Sequence, residues 1–283
     1  MLTIEALAKI NLTLEVLGKR PDGFHEIRSV MQTISLCDGL SFSEADKTTI
    51  QCDMEGWSAE KSLVNRAVKL LREATGCTRG VAIEVTKKIP LMSGLGGDSS
   101  DTAATLKGLN EIWKLRLTPE KLSMMAAQLG SDVTFFLQGG TALATGRGEV
   151  ITTLPSIPGV WMVLVVPDVP AQEDKTARMY RSLKASHYTD GTLTDKTITA
   201  IKRGEIPDIS WLFNTFENIA FDDFNIRQVY VEHLLKLGAP RVHLAGSGPS
   251  LFTIFNSKTQ AEELYTRCKD QGMETYIAAT RSS

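Results

Sequence analysis

Between Val81 and Leu109 the sequence changes period once, and that change dictates a local fold. Val81, Ile83 and Val85 alternate with other residues as in a strand buried on one face. Ala103, Ala104, Leu106 and Leu109 then fall at helical spacing. The junction is Ile89-Pro90-Leu91-Met92-Ser93-Gly94-Leu95-Gly96-Gly97-Asp98-Ser99-Ser100-Asp101. Glycines let backbone N–H groups approach an anion closely, and a helix N-terminus adds unpaired donors and partial positive charge. Ser99 and Ser100 add hydroxyls that can donate to a phosphate or meet a phosphate-bound magnesium. The plain alternative is a glycine-rich turn with Ser or Asp capping a helix. Neither common nucleotide loop is present. Gly-x-x-x-x-Gly-Lys-Ser/Thr does not occur, and Gly94, Gly96 and Gly97 do not space as Gly-x-Gly-x-x-Gly.

Around this junction strands and helices mix without strict βαβ order. Leu12, Leu14 and Val16 alternate as a strand that ends in the turn Gly18-Lys19-Arg20-Pro21-Asp22-Gly23. Further strands are expected at 29–36 and 48–52, and a helix at 62–74 with Gly76 just beyond it. Thr118-Pro119-Glu120 reads as N-cap, first-turn proline and first-turn acid of a helix to Leu129. Composition shifts at Leu154-Pro155-Ser156-Ile157-Pro158-Gly159, which divides the chain into domains 1–154 and 155–283. Beyond it come a strand at 160–166, a helix at 175–183 and a polar stretch at 186–196. A helix at 226–237, strands at 241–245 and 250–255, a helix at 259–271 and a strand at 274–279 complete the chain. The expectation is an α+β protein with two sheets, each with helices packed on one face.

Composition narrows the function. The 283 residues carry 31 basic and 33 acidic side chains, a net charge of −2, so no bulk attraction draws nucleic acid or anionic membrane. The longest strongly apolar run, Val160 to Val166, is far short of the ~20 residues that span a bilayer. The N-terminal stretch carries Glu5 and Glu15 and lacks the layout of a signal peptide. Cys37, Cys52, Cys77 and Cys268 show no metal spacing and read as buried and reduced. These features suit a cytoplasmic protein.

Other segments carry possible chemistry. Ala245-Gly246-Ser247-Gly248-Pro249-Ser250 lies between two strands and reads as a tight turn, or as a second wall of the same anion site. Lys9 sits in an apolar stretch with Asn11 on the same side of its strand. It either points into a cleft, to meet a phosphate or acidify a hydroxyl, or lies on a solvated face. Asp132 follows a helix and by position alone is an N-cap. His25, after Phe24, is a base, a ligand or a polar turn residue. His187, His233 and His243 have no metal-like spacing.

Taken together, these stretches resemble the GHMP family of small-molecule kinases. They are Ala8-Lys9-Ile10-Asn11-Leu12, Gly18 to Glu26, Ile89 to Ala104, Leu129-Gly130-Ser131-Asp132-Val133, Ala144-Thr145-Gly146-Arg147-Gly148-Glu149 and Gly246-Ser247-Gly248. The Arg20-Pro21-Asp22-Gly23-Phe24-His25 run resembles the family's branch with a cytidyl substrate. The resemblance implies a ribosomal S5 domain 2-like N-terminal domain, a ferredoxin-like C-terminal domain and an active site in the cleft between them. It implies transfer of the ATP γ-phosphoryl, with magnesium, to the 2-hydroxyl of a cytidyl-diphosphate methylerythritol in the non-mevalonate isoprenoid route. The partner is then a small molecule, with no nucleic acid or membrane. On this resemblance Asp132 is the general base and Lys9 its partner, and Pro90, Gly94, Leu95, Gly96, Gly97, Asp98, Ser99 and Ser100 surround ATP. Asn11, Phe24, His25, Tyr180, Gly246, Ser247 and Gly248 contact the substrate, with Phe24, His25 and Tyr180 around the cytosine. No metal ligand is assigned. Three positions depart from the family pattern: Asp98 for a glycine, Ser93 for an alanine, and Ser62 for an asparagine that contacts adenine. A mevalonate- or homoserine-like substrate would need the glycine loop but no Phe24-His25 pair. An inactive binding homologue would not need both Lys9 and Asp132.

Overall fold

A computed structural model describes residues 1–54, 57–170, 174–221 and 227–282. Contacts group the chain into two compact units. Met1–Ala8, Cys37–Leu91 and Gly96–Gly139 form the first, and Lys9–Leu36, Met92–Leu95 and Gly140–Ser283 the second. Two long strands, β1 (Leu2–Lys19) and β2 (His25–Ala45), each contribute residues to both. The strand expected at 29–36 is only the middle of β2.

In the first unit, Gly39–Ala45 of β2 pair antiparallel with β4 (Gly80–Thr86), which pairs in parallel with β3 (Thr49–Cys52). Helix α1 (Leu63–Thr75) buries Val64, Ala67, Val68 and Leu71, a spacing that makes one apolar stripe. Ser62 caps it by accepting the Asn65 N–H, and Gly76 ends it in the left-handed region. Helix α2 (Gly97–Ile112) packs on α1, α3 (Pro119–Leu129) and α4 (Ser131–Gln138). Thr118 and Pro119 open α3 as expected. Gly108 of α2 lies against the buried ring of Phe42, where an added Cβ would come within 2.6 Å.

In the second unit, Ile27–Gln32 of β2 pair with β5 (Thr141–Gly146), and β5 with β6 (Val150–Thr153). This pairing draws residues 140–154 into the second unit, so the grouping does not follow the composition break at 154/155. Next in the chain are β7 (Trp161–Val166), α5 (Lys175–Ser182), α6 (Thr192–Lys202), β8 (Phe213–Asn214), α7 (Glu217–Ala220) and α8 (Glu232–Leu237). Then come β9 (His243–Leu244), β10 (Leu251–Phe255), α9 (Lys258–Asp270) and β11 (Glu274–Ala279). β8 pairs in parallel with β1, and a separate antiparallel sheet has the order β11-β7-β10-β9. β7 is paired on both edges and buried through Met162–Val165, which explains its unbroken apolar run.

The polar stretch expected at 186–196 runs into α6, whose first five residues it contains and which the sequence pattern missed. The helix expected at 226–237 is a π-helical turn at Arg227–Val231 followed by α8, and Ile226 lies outside the described residues. All four cysteines are free, but only Cys268 is buried; Cys37, Cys52 and Cys77 are half-exposed. No helix among the described residues is long and apolar enough to cross a membrane.

Candidate active site

The glycine turn divides at Gly96: Met92–Leu95 belong to the second unit, and Gly96 onward to the first. In the first unit Gly96, at φ 79°, is the N-cap of α2 and makes no side-chain cap bond. Asp98 is therefore not the cap; it is a first-turn acid with an exposed carboxylate. Ser100 is buried, and its hydroxyl donates to the Leu7 carbonyl at 2.7 Å. Ser99 is half-exposed and Pro90 partly buried. Asp132 lies in the first turn of α4, whose N-cap is Gly130, so the positional reading of Asp132 as a cap fails. Ser62, at the adenine-linked position, is spent on capping α1 and on donating to the Ala59 carbonyl.

Beneath the start of α2 lies a group that sequence reasoning missed. The fully buried Lys87 ammonium donates to Asp38 Oδ2 at 2.6 Å and to Asp101 Oδ2 at 2.8 Å, with Asp98 Oδ1 4.0 Å away. Burial alone would lower the Lys87 pKa, but Asp101 and Asp38 more than offset that and raise it. Burial pushes the Asp101 carboxyl up to about 7 against the pull of Lys87.

In the second unit the two glycine turns meet. A Cβ on Gly94 would lie 2.2 Å from the Ala245 carbonyl oxygen and 3.0 Å from the Gly248 nitrogen. Ser250 N–H donates to the Ser93 carbonyl at 3.1 Å. The 245–250 segment is thus both a turn, between β9 and β10, and a wall beside the first glycine loop. Asn214 holds it by donating to the carbonyls of Leu244 and Gly246. Ser247 shares a 2.8 Å hydrogen bond with Thr176, and the Lys175 ammonium lies 3.2 Å from where a Gly248 Cβ would be.

Lys9 is only 4% exposed, which excludes the solvated-face reading. Its ammonium donates to Asn11 Oδ1 at 2.9 Å and stands 3.2 Å from a Cβ built on Gly246. Asn11 in turn donates to Ser29 Oγ at 2.7 Å, and Ser29 to the Thr13 carbonyl at 2.6 Å. This chain of bonds fixes the Asn11 amide and leaves its oxygen facing Lys9. Lys9 N–H donates to the Leu95 carbonyl at 2.9 Å, tying the strand to the glycine turn.

The β1–β2 turn is closed by Arg20 N–H to the Phe24 carbonyl and Gly23 N–H to the Arg20 carbonyl, with Gly23 at φ 86°. It leaves Phe24 52% exposed, under the Arg147 guanidinium 4.6 Å from the ring centre. His25 is buried, stacked on Tyr180 at 5.1 Å and 22° and edge-on to Tyr188 at 6.0 Å. Tyr180 itself meets the edge of the buried Phe216. Burial, then the charge of Lys19, lowers the His25 pKa and favours the neutral ring. Such a ring presents one donor and one acceptor, beside an exposed aromatic face.

Residues 62–140 match the model of the GHMP kinases N terminal domain. A 4-diphosphocytidyl-2-C-methyl-D-erythritol kinase of Dehalococcoides mccartyi is 47% identical over 99% of this chain and 98% of its own length. One of Geobacillus kaustophilus is 40% identical over 93% of this chain and 91% of its own. A crystal structure of 4-(cytidine 5'-diphospho)-2C-methyl-D-erythritol kinase superposes with TM-score 0.85 at 28% identity, covering all of both chains. The chain belongs to the GHMP kinase family, and within it groups with the kinases of that name.

Proposed function

We propose that this protein transfers the γ-phosphoryl of ATP to the 2-hydroxyl of 4-diphosphocytidyl-2-C-methyl-D-erythritol, a step towards isoprenoid precursors by the non-mevalonate route. The observation that carries the reading is the aromatic group of one compact unit in which buried His25 stacks on Tyr180, with the exposed Phe24 next to it in the chain. A kinase for a plain polyol or amino alcohol has no use for an exposed aromatic ring beside a buried, stacked histidine on the turn that joins the Lys9 strand to its neighbour.

On this reading the loop 94–100 cradles ATP with backbone N–H groups at the start of α2, where the helix dipole favours phosphate. Phosphoryl transfer asks mainly for alignment and charge neutralisation. Asp132 accepts the proton of the tertiary hydroxyl, and Lys9, oriented by Asn11, favours the developing alkoxide. Phe24 stacks on the cytosine, and His25 hydrogen-bonds its edge. Gly246, Ser247 and Gly248 line the substrate side. Among the described residues no group of three His, Cys, Asp or Glu could hold a metal. No residue of the chain is assigned as a ligand, so a magnesium ion would be carried by phosphate oxygens and water. When bound, magnesium would neutralise phosphate charge.

The domains 1–154 and 155–283 take on this reading the roles of N- and C-terminal kinase domains, S5 domain 2-like and ferredoxin-like. The antiparallel order β11-β7-β10-β9, with α9 between β10 and β11 and several helices between β7 and β9, supports the second name. A cytoplasmic enzyme with free cysteines and small-molecule partners completes the picture. The test is ADP release with ATP, magnesium and the cytidyl methylerythritol, against mevalonate and homoserine. Turnover confined to the cytidyl alcohol is expected; preference for either control would sink the assignment.

A further inference from the structure

We propose that Lys87 is a positioning residue for the glycine loop, holding the first turns of α2 at a fixed place by joining Asp101 to Asp38. The inference rests on the reading that this loop carries ATP phosphates. Three observations converge on it. First, the Lys87 ammonium makes two short bonds, one to each carboxylate, and all three side chains are out of solvent. Second, the other oxygen of Asp38 accepts the N–H groups of Lys88 at 2.6 Å and Ile89 at 2.8 Å. Asp38 therefore fixes the segment that enters the loop, while Asp101 belongs to the helix that leaves it. Third, the two segments touch: a Cβ on Gly97 would lie 3.1 Å from Ile89 Cγ2 and 3.2 Å from Lys87 Nζ. A side chain on Gly97 would thus press on Ile89 and on the lysine ammonium, which must give by a few tenths of an ångström to admit it.

Mere stability is a weak motive for such a cluster. A buried ion pair often contributes no more than apolar residues of the same volume, whereas losing one partner leaves a buried charge uncompensated. What the cluster supplies is direction. The loop's donors must meet phosphate oxygens at hydrogen-bond distance, and a misplacement of ~1 Å can cost about 10²-fold in rate. Among the described residues, Asp101 Oδ1 is buried without a hydrogen-bond partner, so the lysine bond is what orients this carboxylate. The lysine spans three elements of the first unit: the end of β4, the middle of β2 and the second turn of α2.

Lys87→Met would strand two facing carboxylates and endanger the fold, so the test uses Asp101. Wild type, Asp101→Ala and Asp101→Asn are titrated with a non-hydrolysable ATP analogue plus magnesium, and separately with CDP, with melting temperatures recorded. Asp101→Ala is expected to weaken the analogue about tenfold and to leave CDP within about twofold. Asp101→Asn keeps an oxygen for Lys87 and should restore the analogue to within about threefold of wild type. If the alanine variant does not fold, Asp101→Leu, which keeps the branched outline of the aspartate side chain, takes its place with the same expected loss. Unchanged analogue binding in a folded Ala or Leu variant overturns the proposal, as does an equal loss of both ligands or an asparagine variant no better than alanine. A wild type that binds CDP but not the analogue would instead sink the reading of the loop, a result no Asp101 variant can mimic.

Discussion

At the residue scale the second unit places a buried cation and an amide on β1 and stacks His25, at the start of β2, on Tyr180 of α5. Lys9 is held by Asn11, and His25 by Tyr180, so both side chains are already ordered in the free protein. Asp132 heads α4 in the first unit, and its assignment as general base is tested by Asp132→Asn, which keeps shape and removes the proton acceptor. Turnover should fall by roughly 10²–10⁴ with little change in substrate affinity. A variant retaining more than half of wild-type turnover would remove Asp132 from that role and reopen the inactive-homologue reading for it. His25 makes a prediction about pH. Its folded pKa is lowered from the ordinary 6.5, so the unfolded chain binds the proton more readily. Stability from this group is therefore present above about pH 6.5 and declines as pH falls below that value. CDP affinity should be level from pH 8 to about 6.5 and weaken only in acid. A decline beginning above pH 7 would mean that the ring is charged in the working enzyme.

At the element scale the two glycine turns work by close approach. Gly94 has φ 86°, and its missing side chain lets the Ala245 carbonyl and the Gly248 amide come near. Gly94→Ala combines overpacking, about 1–3 kcal/mol, with a left-handed backbone, about 1–2 kcal/mol. At roughly 2–4 °C per kcal/mol it should lower the melting temperature by several degrees and abolish turnover. A variant that melts and turns over like wild type would show that the 245–250 turn can retreat without harm. Asp98 behaves differently. It is neither the N-cap of α2 nor hydrogen-bonded as one, and the Lys87 ammonium stands 4.0 Å from its carboxylate. Asp98→Gly should fold with a loss of about 1 kcal/mol or less, bind ATP at least as tightly, and keep the same magnesium requirement. Titrating magnesium against turnover decides it; a large rise in the requirement would make Asp98 a metal ligand. Helix α4 is an element that pattern did not reveal. Its eight residues, SDVTFFLQ, are too short and too apolar to show a helical period. Packing on α2 and α3 decides its form.

At the scale of the whole molecule, ligand and stability are linked. A ligand bound only by the folded chain adds about 2.7 kcal/mol at a hundredfold excess over its Kd. CDP should raise the melting temperature of the wild type, and Phe24→Ala should lose most of that rise because base–aromatic stacking is worth about 1–3 kcal/mol. The ATP-dependent rise should survive in the same variant. Equal loss of both would mark Phe24 as a packing residue. Much of this architecture is legible from the chain alone, since it depends on neighbours in sequence. The period change from β4 to α2, the capped α1 and α3, the apolar β7, and the Lys9–Asn11 and Phe24–His25 pairs all involve residues a few positions apart. The succession of β9, β10, α9 and β11 is readable from local patterns too. What only tertiary structure decided joins residues far apart. Lys87 meets Asp38 across 49 positions and Asp101 across 14, His25 stacks on Tyr180, and Gly94 meets Ala245. No local period marks such pairs, and a charged residue at the end of a strand reads as solvent-facing until the fold buries it. Burial then makes an unpaired charge costly, and that cost selects partners the sequence does not place side by side.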